Sequence, residues 1–573
     1  RQSAIDEIIV TATKREESLQ DVPISMSVIS DAVIESLGAK NLQQIVSVVP
    51  NVNFPDDATS DWGPTIAIRG AYTAQQFLGM NVSTGVYQDG VFMGKNDAFN
   101  VGSNDIERVE ILRGPQGTLF GKNTTGGAIN IVTKKPGNEL EGSIKAEFGN
   151  YDLINTSGTI NIPLVNDTVA ARISVNRAER DGYAKNLFTG SDLGTIDQTS
   201  WRAQILYAPT EDTDVRLAVD GSDSEKNFLV GETIPPIGDG VPYTFFHTFD
   251  PVVKKDGESV ALTVEHSFGN SYTLTSITSW RESSVEVNRD SDFTSADVVA
   301  QDYESNQENI SQEIRIASPS DRQFDYVAGL YYFDQKFFNS EFFDAGSNLV
   351  PSEASLRAVG SEQNIESTSY AAFVHSNFHL SEVTTLFAGL RYTNEDQSMV
   401  GQSAGTPFWV GLLNADTNPR LTELDSDNVS WTIGLRHNIT DDVMLYASVS
   451  TGVKAGAFNT AAPTIVGADE RSLSVDDESI TSYELGAKTT WYGGRLGLNG
   501  AVFYMDYEDY QVQKLQTIGM LPDGSPLRIV IFDNAAALTS QGAELEVFAV
   551  PTDDLTIIAG LAYLDATFDK FED

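Results

Sequence analysis

Few residues in this sequence have the type and spacing that enzymatic chemistry needs. The chain has five histidines, no HExxH motif and no cysteine, which excludes the common zinc hydrolases and thiolate metal sites. The glycine-rich residues 117–122 resemble a phosphate loop, but Gln116 stands where that loop needs its first glycine and Asn123 where it needs Ser or Thr. Catalysis would require titratable groups that converge in a cleft. We therefore expect no enzyme activity, no cofactor and no metal.

The charged side chains that stand out lie in segments where every second residue is apolar. Glu484 and Lys488 alternate with apolar neighbours such as Leu485, and Glu544 and Glu546 lie in a similar segment further along the chain. Successive side chains of a strand point to opposite faces, so these charges share one face and the apolar residues share the other. Charges enclosed on such a face need partners of opposite sign.

Alternation with period two extends over nearly all of the chain after residue 139, and the lengths of the connections indicate its architecture. Tight turns, as at residues 440–442, alternate with long polar loops, as at residues 339–366. Alternating short and long connections are typical of outer-membrane β-barrels, with turns on the periplasmic side and loops outside. A soluble sandwich has no reason to alternate in this way. We predict an antiparallel transmembrane β-barrel whose apolar face contacts lipid.

The number of strands suggests that the barrel is incomplete. About 17 strands follow the first domain, whereas a bacterial single-chain barrel needs an even number and a plugged one typically has about 22. Residues 571–573 end a strand rather than a barrel. We therefore expect that the C-terminal strands are missing and that the native chain continues beyond Asp573.

Composition excludes two other classes of protein. There are 37 basic and 81 acidic side chains, a net charge of −44, so nucleic acid is not an expected partner because phosphate binding needs a basic face. The longest apolar runs, such as residues 555–564, stop near ten residues, whereas a spanning helix needs about 18 to 20. An inner-membrane helical protein is therefore excluded.

The first 136 residues have a different character and predict a compact α+β domain. Ser30 can cap a helix that runs to Leu37 with Gly38 as its stop, and Asn41 can cap a second one that runs to Val48. Four short apolar strands are predicted at residues 65–69, 82–88, 106–112 and 128–133.

Short motifs in this domain identify a family. They are residues 21–23 (DVP), 50–52 (PNV), 68–70 (IRG), 86–90 (VYQDG), 106–115 (IERVEILRGP), 117–121 (GTLFG) and 126–133 (GGAINIVT), preceded by Asp6, Glu7, Ile8, Ile9, Val10, Thr11 and Ala12. The motifs resemble the plug domain of TonB-dependent outer-membrane transporters, also called TonB-dependent receptors, and residues 6–12 resemble the TonB box. The resemblance implies an N-terminal plug inside a large antiparallel barrel, in the outer membrane of a bacterium.

That resemblance also implies the domain boundaries and the partners. We expect the TonB box and N-terminal segment at residues 1–18, the plug at 19–136 and the barrel at 137–573. The family imports scarce nutrients with energy from TonB and its inner-membrane, proton-driven complex. An extended β-prone segment near a terminus suits strand addition to such a partner. The alternative is that residues 6–12 form a strand of the plug itself.

A locking role for four charged residues follows from the resemblance. In the family, plug arginines meet barrel glutamates, and we place that role on Arg69, Arg113, Glu484 and Glu544. The alternative is that water in the lumen solvates these glutamates.

Ligand contacts are expected at the outer end of the plug, where Trp62, Tyr72, Phe77 and Phe92 are candidates, although single aromatics there also serve as packing. A ferric siderophore is the expected ligand. Oligosaccharide, cobalamin, a small aromatic or terpenoid nutrient, and a passive porin or adhesin role stay open. Haem receptors carry a characteristic loop motif, and the segment at that location, residues 454–459, reads KAGAFN, which disfavours haem.

Overall fold

The computed structural model describes residues 8–54, 63–73, 79–95, 105–229, 241–269, 271–347, 359–405, 417–460, 473–520 and 526–571. The N-terminal part contains nine short strands and two helices. They are β1 (Ile9–Val10), β2 (Glu17–Ser18), β3 (Met26–Ser30), α1 (Asp31–Leu37), α2 (Leu42–Val46), β4 (Val52–Asn53), β5 (Ala67–Ile68), β6 (Thr84–Gln88), β7 (Val91–Phe92), β8 (Ile106–Arg113) and β9 (Gly127–Thr133).

A mixed five-stranded sheet forms the centre of the plug. Its strand order is β3-β8-β9-β6-β7, and only β6 and β9 run parallel. Apolar side chains from these strands form the core of the plug, and Val86, Val109, Ile111 and Ile129 are fully buried. The predicted α+β domain is confirmed.

The two helices begin where the sequence predicts. Gly38 ends α1 in the left-handed conformation, with φ +63°, and its N–H donates to the Glu35 carbonyl at 3.1 Å. The Asn41 side chain accepts from the Gln44 N–H at 2.9 Å, which caps α2. This helix stops at Val46 rather than at the predicted Val48, because Pro50 disfavours a helical backbone at Val49, and the chain leaves the helix in a turn in which the Val49 N–H donates to the Val46 carbonyl at 2.9 Å.

The described residues after β9 form one 17-stranded sheet, one three-stranded sheet and one two-stranded pair. The sheet contains β10 (Glu141–Gly149), β11 (Leu153–Val165), β12 (Val169–Arg180), β15 (Ile196–Thr210), β16 (Thr213–Asn227), β18 (Val252–Ser267), β19 (Thr273–Asp290), β20 (Val299–Ala317), β21 (Phe324–Ala345), β22 (Val359–Ser381), β23 (Thr384–Gly405), β24 (Arg420–Thr440), β25 (Val443–Lys454), β28 (Glu478–Trp491), β29 (Leu496–Met520), β30 (Pro526–Thr552) and β31 (Leu555–Phe571). The short strands are β13 (Ala184–Asn186), β14 (Asp192–Leu193), β17 (Thr244–Phe245), β26 (Ala457–Phe458) and β27 (Ser474–Val475).

Neighbours in this sheet follow one another in the chain and are antiparallel throughout, as predicted. The two faces differ as the alternation of the sequence requires: Leu485 and Leu545 are 57 % and 39 % exposed, whereas Glu544 is 5 % exposed. The exposed apolar face is the face for lipid, and the other face meets the plug. No helix among the described residues is long and apolar enough to cross a membrane.

The strands reach further than the sequence predicts. A loop was expected over residues 339–366, but β21 continues to Ala345 and β22 begins at Val359. A strand with polar residues on both faces shows no alternation of hydropathy. The backbone hydrogen bonds between neighbouring strands do not depend on side-chain polarity, so such a strand still forms. The sheet therefore extends well beyond its apolar belt.

Candidate plug lock and coupling segment

Arg69 lies at the centre of the contact between the plug and the sheet. Its Nε and Nη2 donate to the two carboxylate oxygens of Glu544 at 2.9 and 2.8 Å, and its Nη1 lies 2.7 Å from Glu484. The guanidinium also stacks on the Phe503 ring, 4.0 Å from the centroid. Arg69 is fully buried. A fork-to-fork arginine–carboxylate pair in such an enclosed place is among the stronger polar contacts in proteins.

Local backbone conformation directs Arg69 at the sheet. Arg69 follows β5 with a left-handed φ of +52°, and Gly70 continues the turn at +82°. Burial alone would lower the pKa of the Arg69 guanidinium, but the carboxylates of Glu484 and Glu544 outweigh burial and raise the pKa above its ordinary value. Arg69 therefore stays charged under all physiological conditions.

Arg113 is the second plug arginine in this cluster. Its Nη1 donates to Glu546 at 3.2 Å and its Nε lies 3.4 Å from Glu544. The Asn51 amide and the Ser25 hydroxyl donate to Glu544 as well, at 2.8 and 2.9 Å. All four residues assigned from the resemblance, Arg69, Arg113, Glu484 and Glu544, are thus in one cluster.

Sequence reasoning missed three further members of this cluster. Glu546 pairs with Arg113, the Tyr446 hydroxyl donates to Glu484 at 2.7 Å, and the Lys488 ammonium donates to the carbonyl of Leu19 at 2.8 Å. Alternation had placed Glu546 and Lys488 on the inward face. It does not give the height of a side chain along the barrel, which depends on strand register.

The candidate coupling segment, residues 6–12, is folded onto the plug from Ile8 onward, while Asp6 and Glu7 lie outside the described residues. Ile9 and Val10 form β1, which pairs with β2 in an antiparallel hairpin. Val10 and Ala12 are fully buried, and the Thr11 N–H donates to the buried Glu110 carboxylate at 3.0 Å. Two ion pairs follow, Lys14 to Glu313 at 3.4 Å and Arg15 to Asp325 at 2.8 Å. Residues 8–15 are thus folded against the plug, and the ion pairs of Lys14 and Arg15 connect them to the sheet.

On another side of the plug, Asp89 contacts two arginines of the sheet, Arg202 and Arg216, beside a large cavity. Asp89 lies 2.5 Å from Arg202 and 3.7 Å from Arg216, and it accepts from the Thr133 hydroxyl at 2.8 Å. The adjoining cavity has a volume of about 660 Å³ and lies between the plug and the turn ends of β15 to β20. Contact on this side depends on a few ionic groups rather than on close packing.

Replacing Asp89 by Asn should loosen this side of the plug by about 3 kcal/mol, because two enclosed arginines lose a carboxylate. Burial would raise the pKa of Asp89, but Arg216 and Arg202 outweigh it and hold the pKa below the ordinary 3.8. The stabilisation is therefore complete above pH 3.8 and is lost as the pH falls through the lower pKa of the folded protein.

Melting curves between pH 6 and pH 3 check this expectation. The Tm of D89N should lie several degrees below that of the wild type at pH 6, and the gap should narrow once the pH falls below 3.8. Asp214→Asn, an exposed carboxylate near the turn end of β16, is the control and should leave the Tm unchanged. A gap that is independent of pH would contradict the ionic role of Asp89.

Of the four ligand-contact candidates, Tyr72 and Phe92 are described, and Trp62 and Phe77 lie outside the described residues. Tyr72 is 46 % exposed, and its carbonyl accepts from the Tyr510 hydroxyl at 3.1 Å. Phe92 packs between the Tyr87 and Phe333 rings, 5.4 and 5.7 Å away. Its surroundings are those of a packing residue between the plug and the sheet.

A plug held by ionic contacts inside a large antiparallel sheet with a lipid-facing apolar surface defines a plugged outer-membrane β-barrel. Family models agree with this class: the TonB-dependent Receptor Plug Domain matches residues 18–128, and the TonB dependent receptor-like β-barrel matches residues 200–573. The chain belongs to the TonB-dependent receptor family, and it is an outer-membrane protein of a family of receptors and transporters.

Relatives match along nearly the whole chain. The pesticin receptor of Yersinia pestis is 25 % identical over 553 residues, which cover 94 % of this chain and 74 % of that protein. The ferrioxamine B receptor of Salmonella typhimurium is 23 % identical over 601 residues, which cover 99 % of this chain and 78 % of that protein.

Solved structures share the fold. The ferric yersiniabactin uptake receptor FyuA from Yersinia pestis superposes with a TM-score of 0.81 at 22 % identity, over 96 % of this chain and 80 % of that chain. The siderophore receptor PiuA from Acinetobacter baumannii gives a TM-score of 0.76 at 17 % identity, over 100 % and 82 % of the two chains.

Proposed function

We propose that this protein imports a ferric siderophore across the outer membrane, driven by TonB. The observation that carries the proposal is the set of ligands named for its relatives, which include ferrioxamine B and ferric yersiniabactin, in proteins that match almost the entire chain. The ligand passes through unchanged, so the chain has no catalytic step.

In this proposal the cluster around Arg69 is the lock between plug and barrel. Two plug arginines and three barrel carboxylates fix the plug at one height, and both arginines are at least nine-tenths buried. An enclosed ionic cluster suits a gate, because it holds strongly while complete and weakens sharply once a partner withdraws.

The proposal assigns TonB coupling to Asp6, Glu7, Ile8, Ile9, Val10, Thr11 and Ala12. Among the described residues, the outer edge of β1 pairs with no other strand, and an added strand from TonB can bond there. Residues 14 and 15 then connect the pulled segment to the sheet through their ion pairs with Glu313 and Asp325.

Uptake of radioactive iron by cells that lack their own siderophore receptors tests the proposal. Cells that express this protein should accumulate iron from a panel of hydroxamate, phenolate and catecholate complexes, and collapse of the proton gradient should abolish the uptake. Uptake that survives the collapse would indicate a passive porin. Uptake of cobalamin or an oligosaccharide, with no iron complex taken up, would favour those alternatives.

A further inference from the structure

Residues 454–460, here called the lumen segment, occupy the space directly above the plug. The chain leaves the wall at the end of β25, and the segment pairs through β26 with β27. Every residue of the segment is buried, and Ala455, Ala457 and Phe458 are at most 1 % exposed. A side chain at Gly79, on the outer loop of the plug, would clash with Thr460. The lumen segment therefore covers the plug from the outside.

Neutral amides bind the backbone of the lumen segment. The carbonyl of Gly456 accepts from Asn81 of the plug at 2.9 Å and from Gln397 of β23 at 3.0 Å. Gln363 of β22 donates to the Thr460 carbonyl at 2.7 Å, and Gln511 of β29 donates to the Ala455 carbonyl at 3.2 Å. Four amides from different elements thus converge on three carbonyl oxygens, and all four are uncharged donors.

The Phe458 ring fills an apolar chamber in the barrel wall. Its cluster consists of buried side chains from several strands: Phe228, Val253, Val285, Val287, Tyr303, Phe337, Ile365 and Met399. Barrel lumens are normally polar, so apolar side chains that face inward at this height are an exception. These side chains form an apolar pocket that fits one ring or a short alkyl group.

The charged groups at the start of the lumen segment lack full hydrogen bonding. Lys454 and Glu478 are both fully buried, yet their charged atoms are 3.8 Å apart. Among the described residues, the Lys454 ammonium has no hydrogen-bond partner, and neither has Oε1 of Glu478. Buried charges without full hydrogen bonding destabilise the arrangement that contains them. A competing ligand can therefore displace the lumen segment from its buried position.

We propose that the lumen segment is a resident occupant of the ligand chamber and that the ligand displaces it. A displacing ligand takes over the amide donors with its own carbonyl oxygens and places an aryl or alkyl group where Phe458 lies. The donors are neutral amides, and the two cations nearby among the described residues are already engaged, Lys95 with the carbonyls of Gly79 and Met80 and Lys454 with Glu478. The class is therefore a neutral, amide-rich ferric complex such as a trihydroxamate, rather than a trianionic tricatecholate. This inference rests on the proposed siderophore import and narrows its ligand.

A reversible crosslink tests displacement. Ala457 and Val475 face each other across an antiparallel pair, where Cα atoms are about 4.5 to 5.5 Å apart, within disulfide range. The sequence has no cysteine, so A457C/V475C forms one bridge, and this bridge pins the lumen segment next to β28. Affinity of the purified protein for a neutral ferric trihydroxamate should fall at least tenfold on oxidation and return to the wild-type value on reduction. Equal affinity in both states would overturn the proposal.

A second variant makes the test independent of the crosslink. Phe458→Ala removes the anchor of the occupant, so affinity for the trihydroxamate should increase about three- to tenfold, since a competitor for the chamber is weakened. Phe387→Ala, a buried phenylalanine of β23 outside the chamber cluster, is the control and should leave affinity unchanged. Weaker binding by F458A would overturn displacement.

A comparison of two ferric complexes tests the proposed class of ligand. Tighter binding of a ferric tricatecholate than of the trihydroxamate, or binding of neither, would overturn the assignment of a neutral ligand. Failure of the proposed function is distinct, because it appears as an absence of iron uptake from the whole panel in cells. Iron uptake together with affinity that ignores the crosslink would overturn only the role of the lumen segment.

Discussion

Replacing Ile9 by proline should reduce energised uptake to background while ligand affinity stays at the wild-type value. The Leu19 N–H donates to the Ile8 carbonyl at 2.8 Å, and Ile9 faces Ser18 across the hairpin. In an antiparallel ladder the bonded positions alternate, so the Ile9 N–H points away from β2, towards an added strand. Proline removes that donor without breaking the resident hairpin, since a proline is tolerated where the N–H faces solvent.

Two neighbouring variants separate strand addition from local damage. Ile9→Ala keeps the backbone donor and should retain most of the uptake. Val10→Pro removes the donor that faces β2, so it should disturb the hairpin itself and lower the Tm. Uptake rates in cells and ligand affinity of the purified protein are the two measurements. Full uptake by I9P would contradict coupling through an added strand at this position.

Strand alternation made the inward face of the barrel predictable from the sequence. Glu484 and Glu544 could be placed in the lumen because a period of two is a local property of the backbone. The sequence does not show which inward residues lie at the same level along the barrel axis, because the register between distant strands determines that level. Glu546 reaches Arg113 and Tyr446 reaches Glu484 for that reason alone.

The coupling segment shows a different limit of sequence reasoning. A free strand and a plug strand have the same pattern, since both are short, apolar and β-branched. The structure folds Ile9 and Val10 into a hairpin because Val10 and Ala12 find buried positions beside Leu19 and Leu112. The contact with Leu112 joins residues about a hundred positions apart, and no local pattern in the sequence indicates it.

The lumen segment was recognisable only as a motif. Residues 454–460 are an apolar, glycine-containing run, and they lie where haem receptors carry a characteristic loop motif. Nothing in the run indicates that it turns inward, because its partners Gln363, Gln397 and Gln511 lie on three separate strands. A buried backbone needs donors, and only the assembled barrel supplies them.

Replacing Glu544 by alanine should destabilise the contact between plug and barrel by about 3 to 5 kcal/mol. Glu544 binds Arg69 with both oxygens, and Arg69 has no exposed surface from which water could compensate. Amide hydrogen exchange of the plug should become faster, most clearly around β5. Large antibiotics that the intact plug excludes should enter cells more readily.

The strength of the lock is best isolated by a double-mutant cycle between Arg69 and Glu544. Arg69→Met and Glu544→Gln should each cost about 3 kcal/mol, because each leaves an enclosed charge without its main partner. The double variant should cost at least about 2 kcal/mol less than the sum, since neither charge remains to be stranded. Glu546→Ala serves as the comparison: its side chain is 19 % exposed, and its removal should matter less. Additive effects in the cycle would mean that water in the lumen solvates these glutamates and that the cluster does not lock the plug.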